Sequence, residues 1–362
     1  PPRSTLFPYT TLFRSGLEKW YPAFEVSLIT NLESDLRIFN KLNIQKHIVP
    51  ISLSKRNVFN FLRALFLLFF IIKKSKIELV HSHHRYSDLL ISILSKFLYF
   101  GTVTTVHSIV FGRRLLSFNL DAVVSVSAAV GEHIFSNFRT TRAKCYLIHN
   151  GIFLDEIEFP NPINNDVNVT RILCVGRLDF EKGQDILLRA LEGIDSIAYK
   201  IEVCFVGGYS ENIVTYSSTH ILGSYTFVET FQNLVKRSSH TIRIIQSETT
   251  PWDEILKANF VVIPSRIETF GLVALESGLA KRFVIAAKTG GLPEIIREGE
   301  NGLLFTSENI QELRHAILFA IKNKYQIEKL SENLHTDVIN NFTAELMTKK
   351  YVALYEKLLN QT

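Results

Sequence analysis

Pro264-Ser265-Arg266-Ile267-Glu268-Thr269-Phe270-Gly271-Leu272-Val273-Ala274-Leu275-Glu276-Ser277-Gly278-Leu279-Ala280 is the most informative stretch of this chain. An apolar run, Phe260 to Ile263, leads into it and reads as a strand, and an apolar helical pattern begins at Leu272. A strand, a Gly turn and a helix start form an anion site, because the backbone N–H groups of a first helical turn have no partner within the helix. Two carboxylates, Glu268 and Glu276, stand beside that site. Such a combination suits a ligand that carries hydroxyl groups as well as phosphate.

The rest of the chain gives this segment a setting. With 362 residues, 46% hydrophobic and 21% charged, two globular domains are expected. After Gly16, strand and helix patterns alternate. Strands are expected at Glu25–Thr30, His47–Ser52, Glu78–His81, Thr102–His107, Ala122–Val126 and Cys145–His149, with helices at Asp35–Leu42, Val58–Lys74, Tyr86–Leu98 and Ala128–Phe138. A polar break, Phe159 to Thr170, is the linker candidate. A second alternating set follows, with strands at Arg171–Val175, Lys200–Val206, Thr241–Gln246, Asn259–Ile263, Phe283–Ala286 and Gly302–Phe305. Its helices are expected at Gly183–Leu191, Trp252–Ala258, Leu272–Ala280, Leu292–Glu298, Ile310–Lys322 and Thr343–Leu359. Alternation of this kind argues for parallel sheets covered on both faces. Two such halves would place ligands at the carboxyl ends of the strands, in a cleft between the domains.

Charge is divided unequally. Residues 1–150 hold 19 Lys/Arg against 8 Asp/Glu, whereas residues 151–362 hold 21 against 27. The basic half points to an anionic partner. No zinc-ligand spacing or RNA-binding aromatic signature accompanies it, so nucleic acid is not the expected partner and an anionic membrane surface fits better. The run Val58 to Ile72, VFNFLRALFLLFFII, is strongly apolar, is too short to span a bilayer and is flanked by Lys55, Arg56, Lys73, Lys74 and Lys76. It reads either as a buried helix of an α/β domain or as an interfacial helix, and both hold if one face stays exposed. Cys145, Cys174 and Cys204 lie in apolar runs without metal-ligand spacing and read as buried thiols of a reducing compartment. The expected location is the cytoplasm, with peripheral attachment to the inner face of the membrane.

Several segments handle anions or turn the chain. Val175-Gly176-Arg177-Leu178 ends a strand and Glu181-Lys182-Gly183 opens the next helix. Arg177 and Lys182 there can neutralise charge on a diphosphate, although either alone reads as a solvated loop cation. Val206-Gly207-Gly208 and Thr289-Gly290-Gly291-Leu292-Pro293-Glu294 are Gly turns after strands, the second with Pro near the first helical position. His81, His83 and His84 cluster without a carboxylate partner in sequence, which argues against metal ligation. No Asp-x-Asp motif occurs, so neither a metal nor an organic cofactor is expected.

In this order, the segments Leu173–Leu178, Glu181–Gly183, Ile263–Ser265, Glu268–Leu272, Glu276 and Gly290–Glu294 resemble the retaining glycosyltransferases of family 4 (group 1). His81-Ser82-His83, Thr105-Val106-His107, Ser125-Val126-Ser127 and Asn150-Gly151 are similar to that family's N-domain landmarks. The resemblance spans about Leu17 to Leu359. It implies the GT-B architecture, an N-terminal acceptor-side domain at 16–160, a nucleotide-sugar domain at 161–342 and a last helix at 343–362 packing back toward the N-domain. It further implies sugar transfer from a nucleoside diphosphate to a glycan or lipid-linked acceptor with retention at the anomeric carbon. Arg177 and Lys182 would bind the diphosphate and Glu276 the ribose hydroxyls. Glu268 would sit at the donor sugar, with the backbone of Phe270, Gly271 and Leu272 and the turns at Gly207 and Gly290 at the donor. His107 would act from the N-domain. Two alternatives share this architecture, a sugar-nucleotide 2-epimerase and a non-catalytic nucleotide-sugar binder.

Three features depart from the family pattern. Thr5 to Ser15, TLFPYTTLFRS, resembles the translation of a sequencing adapter, and Pro1 to Ser4 shares that reading. The family's first strand and Gly-rich loop, expected ahead of Glu25, are then missing. The segment Leu279-Ala280-Lys281-Arg282-Phe283 stands where the family often has Ala-x-Gly-x-Pro.

Overall fold

The computed structural model describes residues 17, 19–21, 25, 27–30, 45–49, 58–112, 117–154, 168–208, 218–246 and 252–360. The described residues divide into two compact units, one of Leu154–Thr343 and the other of residues 17–153 together with those from Ala344 onward. The adapter-like segment 1–15, the expected helix at 35–42 and most of the linker lie outside the described residues.

The first unit in sequence contains β1 (Ser27–Thr30), β2 (Gln45–Ile48), α1 (Val58–Lys74), β3 (Leu79–Ser82), α2 (Arg85–Leu94), β4 (Gly101–Val106), β5 (Ala122–Ser125), α3 (Ala128–Asn137) and β6 (Cys145–Leu147). Strands β3-β4-β5-β6 form a parallel sheet in that order, and β1 and β2 pair in parallel as a separate two-stranded sheet. Among the described residues no strand joins β1 or β2 to β3. The β4 sequence, GTVTTV, is buried at every position, as a central strand covered on both faces requires. On one face, α1 and α2 form a core through Leu68, Ile72, Leu90 and Leu94. On the other, Val103 and Val124 meet Met347, Tyr351 and Tyr355 of the last helix, α11 (Ala344–Leu359). Cys145 is half-buried, all three thiols are free, and burial pushes those of Cys174 and Cys204 up to about 12.

The second unit contains β7 (Thr170–Val175), α4 (Gln184–Leu191), β8 (Ile201–Val206), α5 (Ser218–Arg237), β9 (Thr241–Ile245), α6 (Trp252–Lys257), β10 (Phe260–Ile263), α7 (Leu272–Leu279), β11 (Phe283–Ala287), α8 (Leu292–Ile295), β12 (Leu303–Phe305), α9 (Ile310–Lys322) and α10 (Lys324–Asn341). Its six strands are parallel in the order β12-β11-β10-β7-β8-β9. Renumbered from β7, this is the doubly wound order, whose direction reverses between β7 and β10. Helices α4, α5 and α9 bury Ile186, Phe231 and Ile317 against one face of the sheet, around Val203, Phe205 and Val262. Helices α7 and α10 pack on each other and on β11.

Helices α5 and α10 are the two described α-helices that sequence periodicity did not mark. In α5, Phe227, Phe231 and Leu234 supply a buried stripe, but Ser, Thr and Gly dilute its start. In α10, Ile327, Leu330, Leu334 and Val338 are buried at helical spacing. A single residue, Asn323, separates that helix from α9, with no Gly or Pro between them.

Candidate active site

The loops that follow β7 and β10 leave adjacent strands at the point where sheet order reverses. There Lys182 Nζ donates to Glu268 Oε2 at 2.7 Å. The Ser265 hydroxyl donates to the same carboxylate oxygen at 3.3 Å. Asp179 caps the short 3-10 turn Phe180–Lys182, its side chain accepting from the Lys182 N–H at 3.0 Å. A second link braces these loops. Arg266 binds Asp185 through two parallel bonds, Nη1 to Oδ1 at 2.8 Å and Nη2 to Oδ2 at 2.9 Å, and donates to the Phe180 carbonyl at 2.9 Å. Its guanidinium also lies 4.1 Å from the Phe180 ring centroid. Arg266 and Asp185 carry no local signal in the sequence, although Arg266 lies within Pro264–Ala280. Nothing but a planar, bidentate cation would have singled it out from other loop charges.

Two glycines set how closely the turns approach. Gly290 has φ of 54°, and a Cβ there would lie 1.4 Å from the Glu268 carbonyl oxygen. Gly207 has φ of 153°, and its Cβ would lie 2.0 Å from the Gly176 carbonyl oxygen. Both glycines let a neighbouring turn press against a loop of the candidate site.

Glu276 lies in the second turn of α7 and is buried. Burial pushes its carboxyl up to about 8, and Oε2 has no hydrogen-bond partner among the described residues. A buried carboxylate with an open oxygen is costly unless a ligand completes it. Phe270 is wholly buried, its ring 6.1 Å from that of Phe342, so its side chain belongs to the core. Gly271 and Leu272 occupy the entry to α7. Arg177 projects from the β7 loop, well exposed, and is held by Asp179 at 3.2 Å and Glu181 at 3.5 Å.

His107 belongs to the other unit, directly after β4. Its Nε2 lies 2.9 Å from Nδ1 of His83, and the two rings stack at 5.2 Å between centroids. His83 stacks in turn on His81, whose Nε2 lies 2.7 Å from the Thr105 hydroxyl and whose Nδ1 meets the Tyr355 hydroxyl. Tyr351 bonds Thr105 at 2.9 Å. Burial first, and then the neighbouring imidazoles, hold these rings neutral, with His81 and His107 lowered to about 3 and His83 well below its ordinary value. Neutral imidazoles each offer one donor and one acceptor, so one ring can fix the tautomer of the next. His83 was absent from the expected site.

The family model for glycosyl transferases group 1 matches residues 155–337, and that for glycosyltransferase family 4 matches residues 19–156. This chain is a group 1 glycosyl transferase. A glycosyltransferase of Methanocaldococcus jannaschii is 28% identical over 279 residues, covering 73% of this chain and 71% of its own. A D-inositol 3-phosphate glycosyltransferase of Catenulispora acidiphila is 25% identical over 63% of this chain and 60% of its own. Among solved structures, a Rickettsia africae glycosyltransferase has a TM-score of 0.81 at 21% identity, covering 98% of this chain and 95% of that one. Anabaena HepE, solved with UDP and glucose, has a TM-score of 0.77 at 16% identity over 98% of both chains. These likenesses agree with a GT-B fold of two parallel-sheet α/β domains.

Proposed function

We propose that this glycosyltransferase moves a sugar from a nucleoside-diphosphate donor to a glycan or lipid-linked acceptor, with retention at the anomeric carbon. The observation that carries the reading is the Lys182–Glu268 bond at the switch point of the six-stranded sheet, with the open, buried Glu276 on the helix that follows. In this account Lys182 and Arg177 bind the diphosphate. Their charge offsets the negative charge that grows on the leaving phosphate as the anomeric bond breaks. Glu276 accepts from two neighbouring ribose hydroxyls, which a carboxylate can do with both oxygens. The backbone at Phe270, Gly271 and Leu272, together with the turns at Gly207 and Gly290, borders the donor, and Glu268 meets the transferred sugar.

Retention follows if the acceptor hydroxyl attacks from the face that the diphosphate leaves. The departing phosphate oxygen then takes the acceptor's proton, the new bond forms from the acceptor oxygen to the anomeric carbon, and the bond from that carbon to the phosphate oxygen breaks. His107 acts as a neutral hydrogen-bonding group toward sugar or acceptor. The protein supplies position and fixed charge rather than a nucleophile. We assign the work to the cytoplasmic side of a membrane, where nucleotide sugars and lipid-linked acceptors meet. Thermal stabilisation by a panel of nucleoside diphosphates and their sugars tests donor binding, since a ligand bound only by the folded state raises the melting temperature. Lack of stabilisation by every nucleotide at millimolar concentration overturns the reading.

A further inference from the structure

Helix α1 is apolar around nearly its whole circumference, yet only half of it is covered. Ala64, Leu68 and Ile72 face the core. Phe59, Leu62, Phe66 and Phe70 are exposed on the remaining face, at 71%, 57%, 62% and 51% of their surface. Their spacing of three and four residues places them in one stripe. The rings of Phe66 and Phe70 pack with centroids 4.5 Å apart and planes tilted by 58°, and Phe97, 75% exposed, lines the same apolar groove. Tyr99 is exposed close by in sequence. An apolar patch of this size on a water-facing helix marks an interaction surface.

Charge around the stripe selects among occupants. The exposed ionisable residues on α1 and just beyond its end are Arg63, Lys73, Lys74 and Lys76, with Lys96 beside Phe97, and Glu78 is the single acid among them. A second copy docked by two-fold symmetry would set this basic rim against itself. An anionic bilayer instead accepts aromatic side chains below its headgroups and cations at them. At 17 residues the helix is about 25 Å long, enough to lie along a bilayer surface. No described helix is long and apolar enough to cross a membrane.

We propose that the Phe59-Leu62-Phe66-Phe70 face of α1, with Phe97 and its lysine rim, is a docking surface for an anionic lipid bilayer, the helix lying in the interface. This deepens the proposed function, resting on it only for the surface's use: bringing the enzyme to a lipid-borne acceptor. Docking itself needs neither donor nor acceptor, so its failure is separable from failure of that function.

Flotation of the full chain with vesicles of phosphatidylcholine, with and without phosphatidylglycerol, tests it. Binding to the phosphatidylglycerol vesicles, weakened by salt, is expected. The pair Phe66→Glu and Phe70→Glu should lower it about tenfold or more, since bound area and charge both turn unfavourable. Phe66→Ser with Phe70→Ser should lower it without adding charge, and Lys73→Glu with Lys74→Glu should lower it with the apolar face intact. Ile197→Glu, at an exposed position of the other unit, should leave binding unchanged. Nucleotide-induced thermal stabilisation should be the same in all these variants as in the parent. Absence of vesicle binding by the parent, or binding by the phenylalanine variants at the parent's level, overturns the proposal. So does a dimeric parent that these variants convert to a monomer, because the face would then belong to a second copy.

Discussion

Lys182 Nζ and Glu268 Oε2 are 2.7 Å apart, joining the loop after β7 to the loop after β10 at the point where the sheet reverses direction. Both side chains are mostly buried, so each holds the other in place. Lys182→Ala leaves Glu268 without its cation and, in the proposed reading, removes a diphosphate contact. Turnover should fall about a hundredfold or more, the scale of losing one preorganised charge contact. Arg177→Ala should have a comparable effect on turnover, with little on stability, because that side chain is exposed. Steady-state kinetics with thermal melts separates the two effects, and near-parental turnover in either variant counts against its role.

Glu276 gives a pH test whose sign follows from its position. Its carboxyl is pushed up to about 8 in the folded chain, from 4.5. Between these values the folded state holds a proton that the unfolded state has lost. Stability therefore falls as pH rises through this window and levels off above about 8. Glu276→Gln removes this dependence, so the melting temperature of the variant minus that of the parent should grow from pH 5 to pH 8. A constant difference contradicts the assignment. Ribose hydroxyls donating to the carboxylate would favour its ionised form, so nucleotide binding near pH 6.5 should release a proton. Calorimetry in buffers of different ionisation enthalpy reads this directly.

Gly290→Ala should damage both fold and site. The added carbon would sit 1.4 Å from the Glu268 carbonyl oxygen, and the backbone φ of 54° is unfavourable for any other residue. Displacing the Glu268 backbone is the only relief, so a loss of about 2 kcal/mol or more in unfolding free energy is expected together with weaker nucleotide binding. Denaturant unfolding and thermal-shift titration of the same variant measure both.

Arg266→Ala should also destabilise, by about 1–3 kcal/mol, because the buried Asp185 carboxylate then keeps only the more distant Arg189 guanidinium at 3.9 Å. Arg266→Lys should recover little, since an ammonium cannot reproduce the two parallel bonds. Denaturant midpoints for the two variants decide the point.

Lys281 offers a change in the other direction. Helix α7 closes with the Lys281 N–H bonded to the Gly278 carbonyl at 3.0 Å and the Arg282 N–H bonded to the Ser277 carbonyl at 2.8 Å. This closure places Lys281 at φ of 52°, the position where glycine is usual. Lys281→Gly should therefore stabilise by up to about 1 kcal/mol, read as a higher denaturant midpoint.

Much of this arrangement was legible in the chain itself. Helix α1 and helix α9 have the bounds their apolar spacing implies, and the strands of the second unit follow from runs such as Phe260–Ile263. The segments around Arg177, Glu268 and Gly290, singled out by family resemblance, are loops that the fold brings together. Long-range pairing was not legible. The Arg266–Asp185 clamp joins residues 81 positions apart, and the His83–His107 contact joins residues 24 apart. No local period marks either pair. The separation of β1 and β2 from the sheet of β3 to β6 is equally a matter of tertiary pairing.

Transfer itself is the most direct measurement. The full chain is incubated with uridine and guanosine diphosphate sugars and with sugar acceptors, free and carried on polyprenyl diphosphate, and the products are analysed by NMR. The account predicts release of nucleoside diphosphate matched by an acceptor-linked sugar whose anomeric configuration equals that of the donor, and loss of both in Lys182→Ala. An inverted linkage, or epimerisation of the sugar nucleotide without acceptor, would contradict it.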